Sequence, residues 1–403
     1  MPLHPSIAAG SWRSLIAAFV YLCTAFVVWL LPGVLGVSIA GAFSLDHSAQ
    51  GLVVGMPLLG GSLLRIPVGL AADRFGCKRV GIICQLLVIC PLLWFWLGAE
   101  SMLDVYAAGL LLGLAGASFA VALPLAAGSY PPQHQGLVMG IAGVGNCGTA
   151  LAALTAPALA GVFGWRTVFG LAVFPVILSS LIFSRLAVET PRQLTAIKGY
   201  RDILRRSELW WLNVFYGFTF GGFVGLTSFL ALFLKGQYGL DPGTAGCIAA
   251  AGVILGSLAR PMGGLLGDRR GGLVVLVSVF AVGGALVLAM SLLPPLPAAI
   301  ATLLMLLFAL GIGNGAVFQM VPQCFPKEVG AATGIVGASG GLVGFGITYA
   351  LGTLREETGA YAAGFVCLAF VALGCLAAVA LFGPLWRDRL NGTVPSAVME
   401  EQP

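Results

Sequence analysis

The sequence predicts an all-α polytopic membrane protein, with twelve transmembrane helices in two pseudo-symmetric six-helix bundles and both termini in the cytoplasm. Three observations predict it. Of 403 residues 59% are hydrophobic and 9% charged, where a soluble domain carries roughly a quarter charged residues. Apolar runs of about 20 residues, long enough to cross ~30 Å of hydrocarbon, recur along almost the whole chain. Finally, motifs of the first half return in the second at a nearly constant offset.

The twelve spans fall near residues 14–38, 50–70, 80–98, 103–128, 137–161, 166–187, 209–235, 244–266, 273–293, 298–321, 330–353 and 360–384. The first is too long for a signal-peptide core, and no cleavage site follows it, so it is expected to stay in the mature protein. Fifty-eight glycines would weaken soluble helices, but in a membrane they let helix backbones approach and pack. Nine cysteines form no CxxC and no His/Cys cluster. Most, such as Cys23, Cys84, Cys147 and Cys367, lie inside spans and read as small packing residues rather than metal ligands or disulfides.

Charge orients the chain. With the amino terminus inside, Arg13, the cluster Arg74, Lys78 and Arg79, the run from Arg185 to Arg206, Arg269 and Arg270, Lys327, Arg387 and Arg389 all fall in the cytoplasm. Only Arg166, Lys235 and Arg355 fall outside, as the positive-inside rule requires. The polar stretch Glu189 to Glu208 divides the chain into a bundle at 1–188, a cytoplasmic linker at 189–208, a bundle at 209–386 and a cytoplasmic tail at 387–403. In the linker, Leu194, Ile197, Ile203 and Leu204 form one apolar stripe of an interfacial helix, with Arg201, Arg205 and Arg206 near lipid headgroups. Its readings are a topology-setting connector or a contact with anionic lipid.

The halves echo one another. RIPVGLAADRFG runs from Arg65 and ARPMGGLLGDRRG from Ala259, and in each the arginine precedes an aspartate by eight residues: Arg65 to Asp73, Arg260 to Asp268. Tyr130-Pro131 pairs with Phe325-Pro326, and Gly136, Gly140 and Gly143 pair with Gly330, Gly334 and Gly337. Matched halves mark transporters whose bundles rock around a site at the bilayer midplane.

Arg65 and Arg260 lie well inside their spans, where an arginine costs about 2.5–3.5 kcal/mol or more and nearly always pairs or lines a cavity. Every acidic residue belongs to a loop or tail: Asp46, Glu100, Asp104, Asp241, Glu356 and Glu357 outside, and Asp73, Glu189, Asp202, Glu208, Asp268, Glu328, Asp388, Glu400 and Glu401 inside. Two buried guanidinium groups at equivalent positions thus have no protein carboxylate in reach, and an anion is the expected partner. A guanidinium is a planar fork that donates to two oxygens at once; carboxylate, nitrate, nitrite and bicarbonate all fit it.

The loop GLAADRFGCKR after the second span, with GLLGDRRGG after the eighth, resembles the signature loop of the major facilitator superfamily. An Asp just past a helix end, followed by Arg, makes Asp73, Arg74, Asp268 and Arg269 candidates for a cytoplasmic gate. The runs GIAGVGNCGTALAALTAP (Gly140 to Pro157) and GIVGASGGLVGFG (Gly334 to Gly346) resemble the paired signatures of the nitrate/nitrite porter family. GLAGASFA, WLNVFYGFTFGGFVG and GIGNGAVFQMVP extend the likeness over nearly the whole chain.

That resemblance implies that Arg65 and Arg260 hold the anion and that Asn146 donates an amide hydrogen to it. It further implies that Phe119 and Phe220 sandwich the planar ion while Tyr216 donates a hydrogen bond. Read without the family, such aromatics are core filler. The glycines Gly140, Gly143, Gly145, Gly334, Gly337, Gly340 and Gly341 are either generic packing or surfaces that slide as a cavity opens and closes.

The expected function is secondary transport of nitrate and/or nitrite across the cytoplasmic (inner) membrane of a bacterium, by a monomer with no cofactor, metal or nucleic acid, as part of nitrate assimilation. With the site empty, the arginines repel and keep a cavity open; a bound anion offsets the repulsion and permits occlusion. His4, His47 and His134 are in tails or loops, which disfavours a proton relay and favours nitrate/nitrite exchange (antiport), with proton-linked uptake as the alternative. The rivals are a carrier of another anion, an organic acid or a drug-like anion, and a membrane sensor or enzyme. The last is disfavoured because no nucleophile and base pair occurs in the spans.

Overall fold

A computed structural model describes residues 10–189, 203–325 and 329–390. Twelve helices long and apolar enough to span a bilayer are α1 (Trp12–Trp29), α2 (His47–Phe75), α3 (Cys77–Leu97), α4 (Met102–Gly128), α5 (Val138–Phe163), α6 (Trp165–Leu186), α7 (Ser207–Tyr238), α8 (Pro242–Arg270), α9 (Gly272–Ser291), α10 (Leu296–Cys324), α11 (Ala331–Thr358) and α12 (Ala362–Leu381). Among the described residues there is no strand. The first span continues past α1 in two short turns, Leu31–Val34 and Gly36–Phe43. Pro32 starts a fresh turn there, and Gly33 lets the chain approach the backbone of Ser228 on α7.

Several helices outrun the hydrocarbon. The α2 helix runs through Asp73 and Arg74 to Phe75, and α8 through Asp268 and Arg269 to Arg270. This corrects one expectation: the signature aspartates sit in the last helical turn, and the link to the next helix is one glycine. Gly76 (φ 91, ψ 144) and Gly271 (φ 88, ψ 134) adopt the same left-side conformation, open to glycine at little cost. The residue that closes the first of these turns is Glu189, whose carboxylate accepts from the N–H groups of Cys77 and Lys78, both at 2.8 Å. An anion at that helix start satisfies otherwise unpaired donors.

Of the expected linker helix, Leu194, Ile197 and Arg201 lie outside the described residues. Ile203 is buried, Leu204 is exposed, and Arg206 packs over the ring of Phe325 at 4.4 Å.

Packing repeats in the two halves. Within the first, α2 lies on α4 and α3 on α6; within the second, α8 lies on α10 and α9 on α12. Across the halves α2 runs along α11, and α8 along α5. Glycine makes these crossings close: Gly113 meets the backbone of Gly60 and Gly61, Gly311 that of Gly256, and Gly315 that of Arg260. At the start of α2 and the end of α11 the halves touch. A side chain on Gly51 would meet Thr348 O at 2.6 Å, Ser48 Oγ lies 3.2 Å from Thr353 Oγ1, and His47 N–H donates to Glu356 Oε2 at 3.1 Å.

That proximity is directly testable. With the nine native cysteines replaced, the pair Ser48→Cys and Thr353→Cys should cross-link on mild oxidation, seen as a mobility shift reversed by reductant. Failure to cross-link in membranes would place the ends of α2 and α11 apart.

Candidate functional site

Arg65 sits on α2 ten residues before its end, about 15 Å along the helix from the terminal face, and Arg260 sits likewise on α8. Both are buried, at 0% and 3% exposure, so neither reaches lipid or open water. Among the described residues no carboxylate comes within salt-bridge distance of either guanidinium.

Each arginine crosses to the opposite half and rests on a signature glycine there. A side-chain carbon on Gly337 of α11 would lie 3.0 Å from Arg65 Cδ and 3.1 Å from its Nη1; one on Gly143 of α5 would lie 3.4 Å from Arg260 Cζ. Gly143 and Gly337 are the pair matched between the halves by sequence, so one geometry is built twice.

Arg65 is not partnerless, as its sequence position suggested. Its Nη1 donates to Gly337 O and its Nη2 to Gly116 O at 2.7 Å. The second acceptor exists because α4 breaks: Ala120 N–H turns to Ala117 O at 3.0 Å instead of continuing to Gly116 O, which leaves that carbonyl unclaimed by the helix. Arg65 Nε and Arg260 Nη1 remain without a partner. Carbonyl dipoles temper the charge but do not cancel it.

The aromatic residues lie against both cations. Phe119 has Arg65 Cζ at 5.1 Å and Arg260 Cζ at 5.6 Å from its ring centre; Phe220 has Arg260 at 5.6 Å. Such contacts are worth about 0.5–2 kcal/mol each and offset part of the cost of an intramembrane arginine, about 2.5–3.5 kcal/mol or more. Phe119 and Phe220 themselves meet edge to face, 5.5 Å apart at 77°. A flat ion sandwiched between them would need parallel faces about 7 Å apart, twice an ordinary carbon contact, so that arrangement requires the rings to part from this state.

Tyr216 stacks on Phe220 at 5.0 Å and 9°. Its hydroxyl is close enough to Arg260 to interact electrostatically, but it makes no hydrogen bond of proper geometry. Phe220 lies in a π-helical turn, Gly217–Gly221, an irregularity common at functional sites. Asn146 lies in a 3-10 turn, Val144–Cys147, fully buried with neither amide atom paired.

Of the other glycines, a side-chain carbon on Gly340 would meet Phe220 and Tyr216, at 2.5 and 2.9 Å; one on Gly341 would meet Ser62 and Leu58 of α2, one on Gly145 Leu22 and Cys23 of α1, and one on Gly140 Pro261 at 3.6 Å, while Gly334 faces open space. Asp268, Arg269 and Arg74 are exposed at the helix ends, and Arg74 lies over Phe75 at 5.4 Å.

Three neighbours escaped the sequence reading. Phe26 packs on Phe119 at 5.4 Å, Trp29 lies 5.8 Å from Arg65 Cζ and donates to Pro57 O at 2.7 Å, and Phe318 packs on Tyr216 at 4.8 Å. The signal was present: Phe26 and Trp29 recur as Phe220 and Phe223, at the offset that matches the glycines. A separate cavity of about 480 Å³ between α8, α9 and α10, lined mainly by apolar residues such as Leu255, Val275 and Phe308, with Arg270 and Ser278, shares no residue with this cluster.

Comparison with known proteins agrees with the architecture. The model of the Major Facilitator Superfamily matches residues 17–348. The chain is 35% identical to the nitrite extrusion protein of Bacillus subtilis, over 92% of this chain and 93% of that one. It is 33% identical to the probable nitrate/nitrite transporter NarK2 of Mycobacterium tuberculosis, over 83% and 87%. Among solved structures, a bacterial homolog of the human lysosomal transporter Spinster, inward-facing and occupied, superposes with a TM-score of 0.69 at 20% identity, over 95% of this chain and 98% of that one. The human organic anion transporter MFSD10 gives 0.69 at 16%, over 91% and 99%; both likenesses concern the fold alone.

The glycine geometry predicts a graded series. Gly337→Ala should leave the protein folded, because the long Arg65 side chain can yield, but should weaken the stabilisation of its melting temperature by small inorganic anions. Gly143→Ala should do so less and Gly334→Ala hardly at all, which thermal-shift measurements over an anion series will check.

Proposed function

Because the chain belongs to the major facilitator superfamily and, within it, to the nitrate/nitrite porter family, we propose that it carries nitrate or nitrite across the bacterial cytoplasmic membrane, holding the anion between Arg65 and Arg260. The observation that carries this reading is the pair of buried guanidinium groups, one from each half, with no carboxylate in reach among the described residues. A fork on either side of a planar anion supplies directed donors that a lysine lacks. Asn146 and the Tyr216 hydroxyl supply further donors, and Phe119 and Phe220 wall the site against larger, more polar cargo.

Transport proceeds by alternating access. Residues 1–188 and 209–386 are the moving units, joined by the cytoplasmic linker 189–208, and residues 387–403 form a cytoplasmic tail. Each guanidinium already bridges the two units over a glycine, so a shared anion couples site occupancy to their relative motion. Asp73, Arg74, Asp268 and Arg269, at the ends of α2 and α8, act as the cytoplasmic gate. The carbonyl bonds of Arg65 weaken the repulsion between the arginines without abolishing it, and exchange of nitrate for nitrite relieves the rest. Among the described residues no Asp or Glu pairs with either arginine, which supports exchange over proton-linked uptake.

Arg65→Lys and Arg260→Lys should each express and fold while uptake of labelled nitrite or nitrate into proteoliposomes falls by roughly two orders of magnitude; near-normal turnover in either would sink the clamp. In wild-type proteoliposomes, nitrate entry should depend on nitrite inside. Entry into vesicles lacking internal nitrite, driven by a proton gradient alone, would replace exchange by proton-linked uptake. Uptake indifferent to both ions but inhibited by organic acids would assign another cargo.

A further inference from the structure

Beyond these residues, and resting on the clamp just described, we infer that Asn314 is a further ligand of the transported anion, on the Arg260 side of the site. The inference starts from a register between α4 and α10. GLAGASFAVALP (Gly113 to Pro124) and GIGNGAVFQMVP (Gly311 to Pro322) align with glycine at one end and proline at the other. The structure bears the register out, because Gly113 packs on Gly60 and Gly61, one turn before Arg65, and Gly311 packs on Gly256, one turn before Arg260.

Three residues on, the halves differ. The first half has Gly116, whose carbonyl accepts from Arg65 and whose missing side chain makes room for Trp29, the ring that lies over Arg65. At the equivalent place the second half has Asn314. Its α10 is an unbroken helix, Leu296–Cys324, so it offers no freed carbonyl to Arg260, and Arg260 Nη1 has no partner. In the first half the matching position faces the ring over Arg65, since a side-chain carbon on Gly116 would meet Trp29.

The neighbours of Asn314 on α10 frame that space. Gly315 abuts the backbone of Arg260, Gly313 abuts Thr219 in the π-helical turn, and Phe318, one turn on, packs on Tyr216. Asn314 is fully buried, and both its amide nitrogen and its amide oxygen lack a hydrogen-bond partner. A buried amide left so costs free energy unless something answers it. In this reading an anion held by Arg260 accepts from the amide nitrogen of Asn314. Asn314 then complements Asn146, whose amide is equally unpaired on α5.

The test uses the full chain in proteoliposomes and in detergent. Asn314→Ala should raise the KM for nitrate roughly tenfold or more, the usual effect of losing a hydrogen bond to a charged group, with Vmax within about twofold and the unliganded melting temperature little changed. Asn314→Asp should fold and lose the nitrate-induced thermal shift, because a carboxylate beside Arg260 supplies the counter-ion that nitrate otherwise provides. An unchanged KM in Asn314→Ala, or an intact nitrate shift in Asn314→Asp, overturns the inference, and the Asp variant serves alone if the Ala variant does not fold. The two readings fail separately: Arg260→Lys with normal uptake removes the clamp, whereas loss in Arg260→Lys beside a silent Asn314→Ala removes only Asn314.

Discussion

Everything in this molecule is organised around the cost of two guanidinium groups buried at membrane depth without a carboxylate. An arginine there is tolerated only where something answers its charge. Water does not, since both side chains are buried; acidic side chains do not, among the described residues. What remains is weak and directional: two backbone carbonyls for Arg65 and the faces of Phe119, Phe220 and Trp29. These hold the cations in place without neutralising them, which is the balance the proposed carrier needs, because a full ion pair would compete with the cargo.

That balance explains the glycines. A long arginine from one half can cross to the other only where the facing helix has no side chain, and Gly143 and Gly337 provide this at matched positions. Elsewhere glycine has a different task, since Gly113, Gly311 and Gly315 bring backbones into contact within a half, and that contact keeps each half rigid. The same residue type therefore serves stiffness inside a unit and passage between units.

The sequence made the twelve spans legible because hydrocarbon thickness and apolar run length are tied directly. It also made the paired arginines legible, because charge at membrane depth is rare and every carboxylate could be assigned to a loop. Helix ends were less so: α2 and α8 carry their polar last turns into the aqueous zone, and hydropathy stops reporting once a helix leaves the lipid. The partners of Arg65 were invisible for another reason. They are carbonyls, which every residue has, and the break in α4 that frees Gly116 O has no single-residue signature. Trp29 and Phe26 were within reach, at the offset that matched the glycines, but aromatics on apolar spans carry too little information to stand out without that comparison.

The two halves share a scaffold but not a chemistry. Gly116 against Asn314, and a broken α4 against an unbroken α10, leave Arg65 tied to carbonyls while one terminal nitrogen of Arg260 is free. A perfectly twofold site would hold an anion equally on both sides and give it no direction. In the proposed clamp Arg260 brings the open nitrogen, and Arg65 exchanges carbonyl bonds for anion bonds. Since one of those carbonyls, Gly337 O, belongs to the opposite half, closing on the anion and loosening a contact between the halves are one event. On the proposed reading, asymmetry at the site is what links binding to motion between the halves.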